Sequence, residues 1–222
     1  MLSTRGRRPA SVVVEPVARA LLRAGLTPNM VTVIGTVVTS AIAVLLIPSG
    51  HLFAAAAASG LFAAFDLVDG TMARLSGGGT KFGATLDATC DRVTDGVLFA
   101  SVIWWLIFTH DAYPALVVAA FVVLIASQVT SYVKARGEAS GFTILGGLIE
   151  RPERLIIGLV GVGLQGLGVP FALEAAIWVL AFGSVYTVIQ RLYTASRNPE
   201  AVDHIAPPPG TRDVDPQGAG AR

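Results

Sequence analysis

Cysteine, histidine and charged residues are all scarce in this sequence. The 222 residues include one cysteine, Cys90, and three histidines, so the chain can form no intrachain disulfide and offers no zinc site of thiolates or imidazoles. Any bound metal ion must therefore be held by oxygen. Only 14% of the residues are charged and the net charge is +1, which gives no reason to expect nucleic acid as a partner.

Hydrophobic residues are abundant instead, at 53% of the chain, and the mean hydropathy is +0.66. This composition is typical of a membrane protein. No cleavable signal peptide is expected, because the first apolar run begins only after residue 28 and no cleavage pattern follows it. We predict an all-α bundle of six transmembrane helices from six apolar stretches of spanning length, at residues 30–47, 52–74, 84–108, 114–134, 153–168 and 171–190.

Basic residues divide the predicted connections into two sets. All 16 lysines and arginines fall near the N-terminus, within residues 74–92, within residues 134–154, or after residue 190. The connections at the opposite ends of the spans contain none. Because the cytoplasmic flanks of membrane helices collect Lys and Arg, we expect a multi-pass protein of the cell membrane with both termini in the cytoplasm.

The two ends of the chain differ in character from the span region, residues 28–196. Within residues 1–27, the stretch from Ser11 to Ala24 spaces its charges among apolar residues at helical intervals, which predicts an amphipathic helix lying at the membrane interface. Residues 197–222 are rich in proline, glycine and charge. We predict that they form a disordered cytoplasmic tail without a catalytic role.

Four aspartates form two pairs at helical spacing, Asp66 with Asp69 and Asp87 with Asp91. Each pair lies on one face of its helix, and a rise of about 1.5 Å per residue puts both pairs in the cytoplasmic third of the bilayer. One ionised Asp inside a membrane helix costs about 2.5–3.5 kcal/mol on insertion scales, so four need compensation. We expect the pairs to face each other across a helix–helix contact and to bind Mg²⁺ or Mn²⁺.

Small residues next to these aspartates leave room for a diphosphate. Gly70, Ala73 and Gly83 have little or no side chain, and the turn from Ser76 to Thr80 exposes backbone N–H groups that favour phosphate oxygens. Two metal ions commonly clamp a transferring phosphoryl group. The residues thus favour an enzyme acting on a diphosphate-bearing lipid, with a cation channel or transporter as the alternative from another class.

The spacing from Asp66 to Asp91 matches D-x2-D-G-x2-A-R-x8-G-x3-D-x3-D without departure, and the chain thereby resembles the CDP-alcohol phosphatidyltransferases. Residues 25–32, 86–92 and 150–156 look like the bacterial branch of the family that makes phosphatidylinositol phosphate. The resemblance covers roughly residues 10–195. It implies a dimeric six-helix membrane fold in which an alcohol hydroxyl attacks the β-phosphorus of CDP-diacylglycerol and CMP is released.

The resemblance also implies roles for individual residues. Asp91 would be the catalytic base that takes the proton of the hydroxyl. Two Mg²⁺ ions, with Mn²⁺ as a possible substitute, would be held by Asp66, Asp69, Asp87 and Asp91. CDP-diacylglycerol would be bound by Pro28, Asn29, Met30, Val31, Thr32, Asp66, Asp69, Gly70, Ala73, Arg74 and Thr80. Asp95, one turn beyond Asp91 and outside the signature, is interpreted as a polar packing group rather than a metal ligand.

Basic residues on the later spans bear on the acceptor alcohol. Ser131 and Lys134 end the fourth span, Arg154 begins the fifth and Arg191 ends the sixth, so together they could bind a phosphomonoester. From charge alone, they could equally be anchors at the membrane surface. The resemblance favours 1L-myo-inositol 1-phosphate as acceptor, giving phosphatidylinositol phosphate. Glycerol 3-phosphate, giving phosphatidylglycerophosphate, is the alternative.

Overall fold

The fold is all-α, as predicted. A computed structural model describes residues 7–63, 66–144 and 146–203, and all of their side chains except those of residues 7–13 and 66. Every regular element in these ranges is a helix. They are α1 (Arg7–Arg23), α2 (Pro28–Leu46), α3 (Leu52–Ala63), α4 (Asp66–Leu75), α5 (Lys81–Phe108), α6 (Pro114–Ala139), α7 (Arg151–Gly166), α8 (Ala172–Ser196) and a 3₁₀ turn (Pro199–Val202).

Each predicted apolar stretch coincides with a helix, except that the second is shared by α3 and α4. Within the described ranges, four segments are long and apolar enough to cross a membrane: α2, the segment Leu52–Leu75 formed by α3 and α4, α6 and α8. Helix α7 has only 16 residues, and α5 carries Asp91, Arg92 and Asp95 in one turn. The count of six spans therefore remains a prediction. Most of the predicted tail, from residue 204, lies outside the described residues.

Two helices begin at threonine caps. Thr27 accepts a hydrogen bond from the Met30 backbone N–H at 3.3 Å and is followed by Pro28, whose fixed φ suits the first position of α2. Thr80 accepts one from the Gly83 N–H at 2.9 Å and so begins α5. These caps determine where α2 and α5 begin, and both N-termini lie on the side of the bundle that carries the aspartates.

The aspartate-bearing helices α4 and α5 make almost no contact with each other; α2 packs against both. The predicted direct contact between them is therefore wrong. The physical reason lies in the turn between them, where Gly77 and Gly78 adopt positive φ angles of 93° and 115°. This backbone carries α5 away from α4 and leaves the space into which the start of α2 fits.

Helix α1 packs against α4. Ala18 of α1 is buried with Val31, Val68 and Met72 in a small cluster separate from the main core. Helical spacing puts Gly70 and Arg74 of α4 opposite Val68 and Met72, so this packing leaves those two residues on the side away from α1. Helix α1 extends over Arg7–Arg23, close to the helix predicted over residues 11–24. The location of α1 at a membrane interface stays a prediction.

Glycines on α7 allow its neighbours to approach closely. A Cβ placed on Gly161 would collide with the Cβ of Ala176 on α8, and one placed on Gly166 would collide with the backbone nitrogen of Phe53 on α3. Small residues at such positions are what allows close helix packing in membrane proteins. Helix α7 is thereby held between α3 and α8, which fixes the position of the arginines at its start along the helix axis.

We expect Gly166→Ala to destabilise the fold by about 1–3 kcal/mol, because the obstructing atom is backbone and cannot swing away. The matched control is Gly60→Ala in α3, where nothing lies within 4 Å of the added carbon. That change should leave stability equal or slightly higher, since Ala favours helix over Gly. Thermal unfolding of the two purified variants measures this, and equal melting temperatures would contradict the packing described for α7.

Candidate active site

The first turn of α2 lies between α4 and α5 and touches both. The Thr32 hydroxyl donates a hydrogen bond to Asp69 Oδ2 of α4 at 2.6 Å. On the other side, Gly83 of α5 approaches Asn29 so closely that a Cβ on Gly83 would lie 3.1 Å from Asn29 Oδ1. The N-termini of α2 and α5 therefore converge beside the carboxylate of Asp69. Free N–H groups and the helix dipole make such ends favourable for anions.

The polar face of α4 carries its signature residues. Helical spacing puts Gly70, Ala73 and Arg74 on the side away from Met72, and Asp69 is buried at the edge between the two faces. Asp66 begins the same helix three residues before Asp69, but its side chain is outside the described set. The structure therefore brings Gly70, Ala73 and Arg74 to one face, with Asp69 at its edge, without locating the Asp66 carboxylate.

Arg74 is exposed and oriented by its own helix. Its Nη2 donates to the Thr71 hydroxyl at 2.7 Å, and its Nη1 lies over Gly70, where an added Cβ would be 3.7 Å away. A Cβ at Gly70 would thus be in ordinary van der Waals contact with the guanidinium. Since Arg presents a planar array of donors suited to phosphate oxygens, this orientation agrees with the predicted contact to a nucleotide diphosphate.

Asp91 of α5 is paired with arginines. Its Oδ1 lies 2.7 Å from Arg151 Nη2 of α7, and its Oδ2 lies 3.6 Å from Arg92 Nη2. Asp91, the exposed Asp87 and Thr32 line one narrow pocket between α2, α3, α5 and α7. The sequence predicted metal ions as the main charge compensation of the aspartates, and these two arginines were not predicted as partners of Asp91.

The donor atoms fit a hard cation, although the described side chains do not complete a site. No three His, Cys, Asp or Glu groups of the described part of the chain are close enough together to hold a metal ion. The predicted fourth ligand, Asp66, is not among those side chains. The three that are, Asp69, Asp87 and Asp91, are carboxylates, the ligand type that Mg²⁺ and Mn²⁺ favour. The metal site thus stays a prediction with a suitable donor set.

The four residues predicted to bind the acceptor phosphate line a single cavity of about 360 Å³, which is within the usual range for small-molecule sites. They are Ser131, Lys134, Arg154 and Arg191. Arg92, Arg151 and Glu150 also line the cavity and were not predicted. A sequence signal existed for Arg151, because it precedes Arg154 by three residues and so shares its helix face.

Arg191 anchors the segment that leads into α7. Its Nε donates to the Gly146 carbonyl at 3.0 Å and its Nη1 to the Thr130 carbonyl at 2.8 Å, while Nη2 pairs with Glu150 Oε1 at 3.1 Å. A guanidinium has five N–H donors, so this structural role leaves donors for a ligand. Arg191 is thus both a tie between α6, α8 and the entry to α7 and a wall of the cavity.

Arg154 is almost fully buried and bound to an acid. Its Nη2 donates to Asp95 Oδ2 at 2.5 Å, and Asp95 itself is 0% exposed. Asp95 therefore packs inside the bundle, as its place outside the signature suggested. The pair joins α5 to α7 across 59 residues of sequence. The position of Arg154 at the cavity wall is therefore fixed by Asp95, a partner that was not predicted from the sequence.

Comparison with known proteins identifies the family of the chain. The profile of the CDP-alcohol phosphatidyltransferase family matches residues 25–189. Phosphatidylinositol phosphate synthase of Corynebacterium glutamicum is 59% identical over 212 residues, covering 96% of this chain and 97% of that protein. The enzyme of the same name from Mycobacteroides abscessus is 52% identical over 198 residues, covering 89% and 90%.

Solved structures give the same relationship. The crystal structure of Mycobacterium tuberculosis phosphatidylinositol phosphate synthase with CDP-DAG bound superposes with a TM-score of 0.84 at 50% identity, covering 87% of this chain and 98% of that one. The same enzyme in complex with manganese and citrate gives 0.83 at 50% identity, covering 87% and 93%. The predicted family and branch are confirmed: this chain belongs to the CDP-alcohol phosphatidyltransferase family.

Proposed function

We propose that this chain transfers the phosphatidyl group of CDP-diacylglycerol to an inositol phosphate, forming phosphatidylinositol phosphate and releasing CMP. The observation that carries the proposal is the cation-lined cavity beside Asp91, which includes Lys134, Arg151, Arg154 and Arg191. A phosphorylated acceptor would satisfy these charges, whereas free inositol would not. The relatives at 50–59% identity that act as phosphatidylinositol phosphate synthases support the same acceptor.

The donor substrate would occupy the groove formed by α4 and the starts of α2 and α5. The segment Pro28–Thr32, with Gly70, Ala73 and Arg74, would contact CDP. Val31 would offer only its backbone, because its side chain is buried against α1 and α4. Thr80 accepts from Gly83 N–H and keeps its own O–H as a donor for a phosphate oxygen. The CDP-DAG bound in the solved relative supports a donor of this class.

The four signature aspartates would hold two divalent cations, Mg²⁺ with Mn²⁺ as a substitute. When bound, the ions would neutralise the diphosphate and favour attack at phosphorus. The hydrogen bond from Thr32 holds Asp69 Oδ2 in a fixed direction, which prepares that carboxylate for a ligand role. The manganese complex of the tuberculosis relative supports a divalent metal in this family.

The chemical step would be a displacement at the β-phosphorus. The acceptor hydroxyl gives its proton to Asp91 while its oxygen forms a new bond to phosphorus. The bond between that phosphorus and the bridging oxygen breaks, and the electron pair leaves with CMP. Lys134, Arg154 and Arg191 would hold the acceptor phosphate meanwhile, which fixes the distance between hydroxyl and phosphorus.

The protein would cross the cell membrane six times as a homodimer, with α1 at the interface among the membrane lipids. Helix α5 has 28 residues and is about 42 Å long, which is enough to cross the membrane. Helix α7 is only about 24 Å long, and we propose that it can still cross because it is packed between neighbouring helices. Apolar residues such as Val37 and Leu45 of α2 are exposed, as expected for a lipid-facing surface. Both termini and the active site would lie in the cytoplasm.

Labelling of single cysteines tests the topology. In a Cys90→Ser background, Thr109→Cys should react with a membrane-impermeant maleimide on intact cells, because Thr109 follows the predicted outer end of α5. Ser76→Cys, in the turn between α4 and α5, should react only after the membrane is opened. Labelling of both sites, or of neither, in intact cells would rule out the six-span arrangement.

Asp91→Asn tests the base. We expect kcat to fall by about 10²–10⁴-fold, the usual contribution of general-base catalysis, even at Mn²⁺ concentrations at which electron paramagnetic resonance counts the wild-type number of bound ions. Asp111→Asn, a matched change at the outer loop, should alter neither quantity. If the variant loses its metal together with its activity, the loss of a metal ligand explains the result, and no role of Asp91 in proton transfer is needed.

Lys134→Gln tests the acceptor site, since Lys134 lines the cavity, is half-exposed and forms an ion pair with Glu138 at 3.9 Å. We expect the KM for inositol phosphate to rise by about tenfold, the effect of losing about 1.4 kcal/mol, with the KM for CDP-diacylglycerol unchanged. Arg136→Gln, on the same helix but outside the cavity, is the matched control. If the wild-type protein turns over glycerol 3-phosphate but not inositol phosphate, the proposed acceptor is wrong and glycerol 3-phosphate takes its place.

A further inference from the structure

Arg151 belongs to both pockets of the candidate active site. It lines the narrow pocket that contains Asp91 and also the cation-lined cavity of Lys134 and Arg191. Its Nη2 lies 2.7 Å from Asp91 Oδ1, a short and charge-assisted contact. The side chain proposed to take the acceptor proton is thus held by a cation that also faces the proposed acceptor phosphate.

Asp95 offers Arg151 a second partner. Arg151 Nε lies 3.6 Å from Asp95 Oδ1, which is ion-pair distance but too long for a hydrogen bond. No group in the described part of the chain donates a hydrogen bond to Asp95 Oδ1, although the residue is 0% exposed. A buried carboxylate oxygen without a donor is costly, so a small movement of Arg151 towards Asp95 would be favourable for that oxygen.

The cavity itself favours an incoming anion. Arg154 is 1% exposed, and its Nε has no hydrogen-bond acceptor among the described residues. The same holds for the buried Nε of Arg92. Arg92 and Arg154 line the cavity together with Arg151, and the charges of their guanidinium groups favour a phosphate there. An anion there would attract Arg151 away from Asp91, because both lie within reach of its guanidinium.

We propose that Arg151 is a positioning residue that links the acceptor phosphate to Asp91. Without a phosphate in the cavity, Arg151 occupies Asp91 Oδ1. With a phosphate bound, Arg151 turns to the phosphate and Asp95, and Asp91 Oδ1 becomes available to the acceptor hydroxyl. The inference rests on the proposed function, and it explains how a phosphorylated acceptor can be selected over free inositol and water: only the phosphate releases Asp91.

The test divides the acceptor into two pieces. The full-length protein is given CDP-diacylglycerol and myo-inositol without its phosphate, and phosphite is added as a separate dianion while CMP release is measured. We expect almost no release with myo-inositol alone and a rise of about tenfold or more at saturating phosphite, equivalent to at least about 1.4 kcal/mol. Thermal unfolding with and without phosphite shows independently whether the dianion binds.

Two variants separate linkage from simple binding. In Arg151→Gln, we expect phosphite to raise the rate less than about twofold. In Lys134→Gln, which alters the cavity but does not touch Asp91, we expect a higher half-activating concentration and the wild-type rise at saturation. If Arg151→Gln does not fold, Arg151→Lys replaces it, since lysine keeps the charge but lacks the fork needed for two partners.

Three results would overturn the proposal: phosphite that stabilises the wild-type protein without activating it, phosphite that does not stabilise it at all, or equal activation in wild type and the Arg151 variant. CMP release with intact inositol phosphate is measured in parallel. Failure there would refute the proposed function itself, whereas success there with no phosphite effect would refute only the linkage.

Discussion

The buried ion pair between Asp95 and Arg154 determines where positive charge is placed in this protein. Both side chains are almost completely inaccessible to solvent, and they join α5 to α7 through their side chains at 2.5 Å. Removing one partner of such a pair typically costs about 3–5 kcal/mol, because the other charge is left uncompensated. The pair therefore specifies the geometry at the start of α7 more than it adds stability. Because Arg151 lies one turn before Arg154 on the same helix, the pair also fixes the position of Arg151.

Charges are distributed unevenly over two pockets. Asp87 and Asp91 of α5 line the narrow pocket beside α2, Arg154 and Arg191 line the larger cavity, and Arg151 lines both. In the proposed reaction, the carboxylates would hold metal ions that carry the diphosphate, and the arginines of the cavity would hold the phosphomonoester directly. Because both substrates are anionic, they would repel each other if they shared one pocket. Separate cation sources, one of metal ions and one of arginines, would allow both to bind at once.

The sequence predicted the positions of the helices well and the partners of the charged side chains poorly. Apolar runs coincide with α2 and with α5 to α8, whereas one run covers both α3 and α4. Helix α6 continues past residue 134 to Ala139, because polar residues such as Arg136 and Glu138 extend a helix without extending its hydrophobic stretch. The four acceptor residues do line one cavity. The contact predicted between α4 and α5 is wrong, because closeness in sequence does not decide which helices pack when a glycine turn lets the chain diverge.

The missing information is of one physical kind. Arg191 is tied to the Gly146 and Thr130 carbonyls, and Arg154 to Asp95, and each of these partners lies more than 40 residues away along the chain. Periodicity reports which face of a helix a residue occupies, but it does not report which backbone carbonyl or carboxylate will meet it. Buried arginines depend on such meetings, because an unpaired buried cation is not tolerated. Their role could therefore be predicted only as charge near a membrane surface.

The same contacts change how the arginines of the cavity act as ligands. A guanidinium that already donates to fixed carbonyls, as that of Arg191 does, has lost its rotational freedom before a phosphate arrives. The remaining N–H groups point in set directions, so binding orders less side chain and less affinity is lost to conformational entropy. Lys134 is half-exposed and without such ties, and its charge contributes attraction rather than direction. In the proposed reaction, orientation of the acceptor hydroxyl would thus depend on the arginines that are bonded to the protein itself.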